Sequence, residues 1–167
     1  MKTATTIGID LAKHVFHRCG MDSRGRVLWR RRESRAGLAA FLAEHPKCVV
    51  AMESCATAHD WARRARACGH DARLISGQFV KTFVKSNKND KIDAEAICEA
   101  TNRPTMRFVP IKTTAQQDTQ SIHRVREQQV KLRTALINQC RGLLLEYGVV
   151  IPKGRAAVHK SLPLLLE

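Results

Sequence analysis

Four carboxylates in this chain have the residue types and spacing of a divalent-metal site. Asp10 ends the apolar run TTIGI, Glu53 ends the apolar run VVAM, and NDKIDAEAI contains Asp90 and Asp93 three residues apart. Mg²⁺ prefers oxygen ligands, and several carboxylates must converge to hold one or two such ions for phosphoryl transfer. Carboxylates brought together without a cation repel one another. The pattern predicts a metal centre that acts on phosphodiesters.

Each carboxylate taken singly also has a structural interpretation. Asp10 could cap a turn or a helix, and Glu53 could be an ordinary exposed strand end. Asp90 followed by Asp93 fits an N-cap with an acidic residue in the first helical turn. Together the residues favour the metal site, because an order of Asp, Glu and Asp-x-x-Asp across a first strand, a later parallel strand and a helix start is what a ribonuclease H-like fold supplies.

The elements that must position these residues are a run of strands followed by alternating strands and helices. This order indicates an α/β domain with a mixed sheet and flanking helices. The predicted strands are 5–9, the two that flank the turn at 22–25, 47–52 and the segment DARLIS, and the predicted helices are 34–45, 59–68 and one that starts near Asp90.

A long helix is predicted from Thr113 to Tyr147, where the chain has no proline and a single glycine. Its apolar residues lie close to a heptad pattern, which suits either packing on its own domain or pairing as a coiled coil. The stripe comprises Ile122, Val125, Leu132, Leu136 and Leu143, broadened by Val130, Ile137 and Leu144.

The charge balance points to nucleic acid. The chain has 29 Lys and Arg against 15 Asp and Glu, a net charge of +14. Neutralising phosphate releases counterions, so DNA or RNA is the leading partner and a membrane surface is not expected. An arginine cluster at 24–35 is equally compatible with nucleic-acid contact and with a solvated strand pair. The residues predicted to bind nucleic acid are Lys81, Lys85, Lys88 and Lys91 beside the acidic helix and Arg124, Arg126, Lys131 and Arg133 on the long helix.

The remaining composition is that of a reduced, cytoplasmic protein. The six cysteines show no CxxC pairing, so they are expected to be mostly buried thiols rather than zinc ligands or disulfides. The N-terminus has no signal-peptide pattern, and no apolar run is long enough to span a bilayer. Trp29 and Trp61 are expected in the core rather than as base-stacking surfaces.

The stretches IGIDLAK, VAMES and NKNDKIDA together resemble the N-terminal domain of the DEDD-type insertion-sequence transposases, which are described as bridge-RNA-guided recombinases. That domain is similar to the Holliday-junction resolvase nuclease. The resemblance covers residues 5–150, and NKNDKIDA is its most specific part. It implies that Asp10, Glu53, Asp90 and Asp93 are catalytic ligands of Mg²⁺ or Mn²⁺. It also implies DNA as substrate, a guide RNA as partner and assembly of a homo-oligomer through the long helix.

The resemblance further implies a domain organisation. Residues 1–112 are expected to form the ribonuclease H-like catalytic domain and residues 113–150 the long helical segment. Residues 151–167 are expected to be a linker or the start of a C-terminal transposase domain, in which the family carries a catalytic serine. No residue of this chain is assigned the serine's role.

Three functions are compatible with these features. The first is a transposase or recombinase domain that supports DNA strand cleavage and exchange. The second is a resolvase-like, metal-dependent endonuclease. The third is a non-catalytic remnant that binds nucleic acid or oligomerises through its long helix.

Overall fold

The computed structural model describes residues 3–83 and 90–166, without the side chains of 90–92, 162 and 164–166. The strands are β1 (Thr6–Asp10), β2 (Val15–Met21), β3 (Val27–Ser34), β4 (Val49–Glu53), β5 (Asp71–Ile75) and β6 (Phe108–Val109). The helices are α1 (Arg35–Glu44), α2 (Ala58–Ala67), α3 (Gly77–Val80), α4 (Asp90–Thr101), α5 (Thr114–Glu146) and α6 (Arg155–Leu166), with a 3₁₀ turn at Lys81–Phe83.

The strands form one mixed sheet in the order β3-β2-β1-β4-β5-β6. The β1–β4 and β4–β5 pairs are parallel, while β1–β2, β2–β3 and β5–β6 are antiparallel. The predicted α/β class with a mixed sheet and a following long helix is confirmed, and the architecture is consistent with a ribonuclease H-like fold. The carboxyl ends of β1, β4 and β5 share one edge of this sheet.

Both faces of the sheet are covered. Helices α1 and α2 pack on one face over a core that includes Phe16 and Trp61, whose ring centroids are 5.3 Å apart in an edge-to-face contact. Helix α4 packs on the other face, where Cys98 contacts β2 and Ile97 lies in one cluster with Ala51 of β4 and Ile75 of β5. A sheet covered on both sides explains why its central strands are continuous apolar runs.

Local sequence signals explain where several helices begin and end. The Ser34 hydroxyl accepts a hydrogen bond from the backbone N–H of Gly37 at 3.1 Å. Ser34 is therefore the N-cap of α1, as predicted. Helix α2 ends just before Gly69, whose φ of 87° belongs to the left-handed region that glycine adopts readily. The short elements α3 and β6 and the helix α6 were not predicted from the sequence.

Two expectations about buried side chains need correction. Trp61 lies in the core as predicted, but Trp29 is only half-buried. Only Cys19 and Cys98 of the cysteines are buried, whereas Cys55, Cys68 and Cys140 are exposed, so the thiols are not mostly buried. All six cysteines are free.

The chain divides into two compact units, Met1–Thr113 and Thr114–Glu167. In the second unit, Arg141 Nε donates a hydrogen bond of 3.0 Å to the carbonyl of Ile151, and Ile151 and Val158 are buried. None of the helices in the described parts of the chain is long and apolar enough to cross a membrane.

Replacement of Gly8 by alanine is predicted to destabilise the first unit. A Cβ at this position would lie 2.3 Å from the backbone oxygen of Ala94 and 2.8 Å from Cys98 Sγ, so α4 would have to move off β1. Overpacking of this kind costs about 1–3 kcal/mol. Urea denaturation followed by circular dichroism measures the change in the free energy of unfolding.

Gly142→Ala is the matched control for this prediction, because nothing lies within 4 Å of a Cβ at position 142 in α5. It should stabilise the helix by about 1 kcal/mol or less. A Gly8→Ala protein as stable as the unaltered chain would contradict the close packing of α4 on β1.

Candidate metal centre and basic surfaces

Asp10 and Glu53 stand side by side at the carboxyl ends of two hydrogen-bonded strands. The parallel register of β1 and β4 pairs Ile9 with Met52, and the next residue on each strand is the carboxylate. Both acidic residues are half-buried. The predicted pairing of these two residues at one edge of the sheet therefore follows from strand register alone.

The Glu53 carboxylate lies against the start of α3. A Cβ at Gly77 would be 2.4 Å from Glu53 Oε1, so any larger residue there would displace the carboxylate from this position. The strand end is fixed as well, since Ser54 N–H donates a 2.7 Å hydrogen bond to the carbonyl of Ile75 on β5. Backbone on both sides thus holds Glu53 in place.

Helix α4 runs antiparallel to β1 and brings Asp93 to the same edge. Near its C-terminus, Asn102 Oδ1 accepts a 3.1 Å hydrogen bond from the Thr6 hydroxyl at the start of β1. Near its N-terminus, the carbonyl of Ala94 closely approaches Gly8. The first turn of α4 therefore lies toward the Asp10 end of the strand, and Asp93 is half-buried there.

Cys55 lies within electrostatic reach of both strand-end carboxylates. Cys55 is exposed, but neighbouring atoms shield its thiol from part of the solvent and so raise its pKa, and the negative charges of Glu53 and Asp10 raise this pKa further. The Cys55 thiol also makes a long 4.0 Å contact with the carbonyl of Leu11, directly after β1. The thiol is thus a natural reporter of charge at this edge of the sheet.

The loop between β4 and α2 carries backbone strain beside these carboxylates. Thr57 has φ 70° and is the one non-glycine residue with positive φ in the described ranges 3–83 and 90–166. This conformation is unfavourable for a β-branched residue. Strain of this type concentrates at functional sites.

The described residues do not form a complete metal site. Among them, no group of three or more His, Cys, Asp or Glu side chains is placed to hold a metal ion. The oxygen chemistry of Asp10, Glu53 and Asp93 suits Mg²⁺ or Mn²⁺. Asp90 begins α4, but its side chain lies outside the described residues.

The lysines predicted beside the acidic helix are only partly described. Lys81 is exposed on the 3₁₀ turn that follows α3. Lys85 and Lys88 lie outside the described residues, as does the side chain of Lys91. Lys81 is therefore the one member of this group whose exposure is defined.

The basic residues of α5 form two rows. Arg124 and Lys131 are seven residues apart, as are Arg126 and Arg133, so each pair shares a side of the helix about two turns apart. Lys131 is ion-paired with Glu127 at 2.7 Å. At 100° per residue, the rows lie on opposite sides of an exposed apolar stripe formed by Ile122, Val125, Leu132, Leu136 and Leu143.

Two residues near the carboxylates were missed by sequence reasoning. Gly77 sits in the segment SGQ at a helix start, where a glycine that permits close approach could have been suspected. Cys55 follows Glu53 by two residues, but nothing in its sequence context distinguishes it from the other cysteines.

The mixed sheet with acidic strand ends is that of an α/β domain and is consistent with a ribonuclease H-like fold. The sequence model of the DEDD transposases of IS110 type, described as transposase, matches residues 7–149. This chain therefore belongs to the DEDD transposase family of IS110-type insertion sequences.

Curated relatives agree with this assignment. The chain is 53% identical over 152 residues to a probable family 20 transposase of Pseudomonas aeruginosa, covering 90% of this chain and 45% of the relative. It is 51% identical to the transposase for insertion sequence element IS1328 of Yersinia enterocolitica, covering 96% and 48% of the two chains. It is 46% identical to the transposase for insertion sequence element IS1111A of Coxiella burnetii, covering 99% and 46%. The chain spans less than half the length of these relatives.

Removal of the Glu53 charge is predicted to make Cys55 more reactive. Because the carboxylate raises the pKa of the thiol, Glu53→Gln should lower that pKa and increase the thiolate fraction at mildly alkaline pH. Alkylation of Cys55 by iodoacetamide, followed by peptide mass spectrometry, should become severalfold faster.

Two controls accompany this experiment. Glu44→Gln makes the same change at the end of α1 and should leave the Cys55 rate unaltered. Cys68, exposed beyond α2, should react at the same rate in all variants. An unchanged Cys55 rate in Glu53→Gln would contradict the proximity of the thiol and the carboxylate.

Proposed function

We propose that this chain is the acidic part of a transposase active site, which binds Mg²⁺ or Mn²⁺ and supports the cleavage and exchange of DNA strands. Asp10, Glu53, Asp90 and Asp93 would be the metal ligands. The observation that carries the proposal is the adjacency of Asp10 and Glu53 at parallel strand ends with the first turn of α4 directed to the same edge.

The chain's own residues would divide the work by position. Asp10 and Glu53 provide oxygen ligands whose spacing is fixed by strand register, and Asp93 adds a ligand from a helix packed on the same strand. A bound divalent cation supplies charge stabilisation for the attacking and leaving oxygens in phosphoryl transfer. Lys81, exposed after α3, would contact the phosphate backbone beside the site.

The partners we propose follow from charge and from the resemblance to guided recombinases. DNA is the substrate, a guide RNA is the second nucleic acid, and the net charge of +14 suits both. The basic rows of α5, with Arg124, Arg126 and Arg133, would follow a phosphate backbone. The attacking serine that the resemblance implies belongs to a separate domain, so we assign this chain no covalent step.

Metal binding is predicted to depend on the strand-end and helix carboxylates. In calorimetric titrations, Asp10→Asn or Asp93→Asn should weaken Mn²⁺ binding at least about tenfold, because each removes an anionic ligand. Cation binding should also accelerate alkylation of Cys55, since it neutralises the charges that raise the pKa of this thiol. The second readout does not require enzymatic activity.

Asp118→Asn is the control, because Asp118 is an exposed carboxylate on α5 and the variant changes the net charge equally. It should retain the metal affinity and the metal effect on Cys55. Equal affinity in the Asp10, Asp93 and Asp118 variants would overturn the metal assignment. Cleavage of branched DNA by this chain alone would instead indicate a resolvase-like endonuclease.

Self-association is predicted to depend on the apolar stripe of α5. Leu136 lies on this stripe and is 60% exposed, so burial of its side chain in a second copy would stabilise a dimer. Leu136→Glu should raise the dissociation constant of the dimer at least about tenfold, because the dimer loses the free energy of burying one leucine side chain. Sedimentation velocity over a range of protein concentrations measures the change.

Leu145→Glu provides a closely matched control. Leu145 is 57% exposed on the same helix, but the helical period places it away from the stripe. Its substitution should leave association nearly unchanged. A chain that sediments as a monomer at every concentration would contradict the proposed homo-oligomer.

A further inference from the structure

A cavity of about 380 Å³ lies between α1 and the β2–β3 hairpin, on the α1 face of the sheet. It is lined chiefly by Arg18, Trp29, Arg31, Phe41, His45 and Pro46. Thr3, which precedes β1, also lines it, and His45 and Pro46 precede β4. The cavity therefore lies toward the amino ends of the strands whose carboxyl ends carry Asp10 and Glu53.

Three half-buried rings form the apolar wall of the cavity. The centroids of Trp29 and Phe41 are 5.9 Å apart in an edge-to-face contact, and those of Phe41 and His45 are 4.8 Å apart. Gly20 leaves space for the indole, because a Cβ there would be 2.4 Å from ring carbons of Trp29. Parts of all three rings stay accessible, and because Trp29 and Phe41 are nearly perpendicular, a flat ligand can stack on one of them and meet the edge of the other.

Arg18 supplies a buried cation on the same wall. Its side chain is 6% exposed, it is ion-paired with Glu33, and its guanidinium carbon lies 3.6 Å from the centroid of Phe41. Arg18 Nε is buried and has no hydrogen-bond partner in the described part of the chain. Arg18 lines the cavity although its Nε is enclosed by protein, so the guanidinium gives the wall a positive charge that favours acceptor atoms.

A second cation stands beside the first. Arg31 is exposed and lines the cavity. It lies directly opposite Arg18 in the register of β2 and β3. Burial lowers the pKa of Arg18, and the positive charge of Arg31 lowers it further. The hydrogen bond and the negative charge of Glu33 act in the opposite direction. An anion placed beside Arg31 would relieve the repulsion between the two guanidinium groups.

We propose that this cavity binds one unpaired nucleotide of a single-stranded nucleic acid. The base would stack on the aromatic wall, an acceptor on its edge would face the positive charge of Arg18, and Arg31 would contact the adjoining phosphate. The charge of +14 favours a polyanion as the occupant. A nucleobase offers both a ring face for the aromatic wall and acceptor atoms for the positive charge of Arg18.

This inference goes beyond the metal-dependent function and does not depend on it. The cavity and the carboxylates occupy opposite ends of the strands and share none of the residues named for either site. Weakened metal binding in Asp10→Asn therefore tests the metal centre alone, and the comparison of base-containing with abasic strands, made without divalent cation, tests the cavity alone. Failure of one proposal is thus distinguishable from failure of the other.

The test uses the full chain and three labelled probes of equal length, namely oligothymidylate, oligouridylate and an abasic deoxyribose-phosphate strand. Fluorescence anisotropy should show at least one base-containing strand bound about tenfold or more tightly than the abasic strand, the effect expected from stacking of one base. Tighter binding of oligothymidylate would identify DNA as the ligand, and tighter binding of oligouridylate would identify RNA. Binding should also quench the emission of Trp29, while Trp61, which is 2% exposed, should be unaffected.

Phe41→Leu should remove most of the preference for bases. Phe79→Leu is the matched control, because Phe79 is a partly exposed phenylalanine on α3 and lines a different cavity. Equal affinity of the unaltered chain for base-containing and abasic strands would overturn the proposal, and this comparison requires no variant to fold. Retention of the full preference in a folded Phe41→Leu protein would overturn it as well.

Discussion

The close approach of α4 to β1 at Gly8 is the contact on which the acidic site depends. The backbone of Ala94 and the thiol of Cys98 occupy the space where any other residue at position 8 would place a Cβ. This contact sets the height of the helix above the sheet, and the bond between Thr6 and Asn102 fixes its direction. The first turn of α4 is thereby directed to the edge where β1 and β4 end.

Two further features of the backbone determine where the strand-end carboxylates lie. The parallel register of β1 and β4 makes Asp10 and Glu53 neighbours, and the missing side chain of Gly77 leaves room for Glu53 beside α3. The strained backbone at Thr57 lies in the loop that follows. Half-buried carboxylates on neighbouring strand ends suit a cation, because a cation offsets their mutual repulsion.

The sequence allowed prediction of those parts of the fold that rest on local patterns. Continuous apolar runs identified the central strands, because a sheet covered on both faces buries the side chains on both sides of a central strand. Ser34 identified the start of α1 through its capping hydroxyl. The strand β6 has only two residues, so no period can be read from it. Helix α6 was missed because it contains Pro163 and follows Gly154, both of which are typical helix breakers.

The candidate site was predictable only in outline. Carboxylates at the ends of apolar runs suggested convergence, but the role of Gly77 depends on a contact between β4 and α3 that no local pattern encodes. Trp29 was misjudged for a related reason. An aromatic residue on a strand is usually core, yet β3 is an edge strand and α1 covers only part of it, so the indole stays half-exposed.

The two proposed sites would divide nucleic-acid recognition according to the polarity of the parallel strands. The carboxyl ends of β1 and β4 present carboxylates, which suit the phosphodiester through a cation, and the opposite end presents rings and arginines, which suit a base. Phosphate contacts position a nucleic acid without reading its sequence, whereas contacts to a base can distinguish what is bound. A strand held at the aromatic pocket would leave the acidic edge accessible to another, because the two sites compete for no residue.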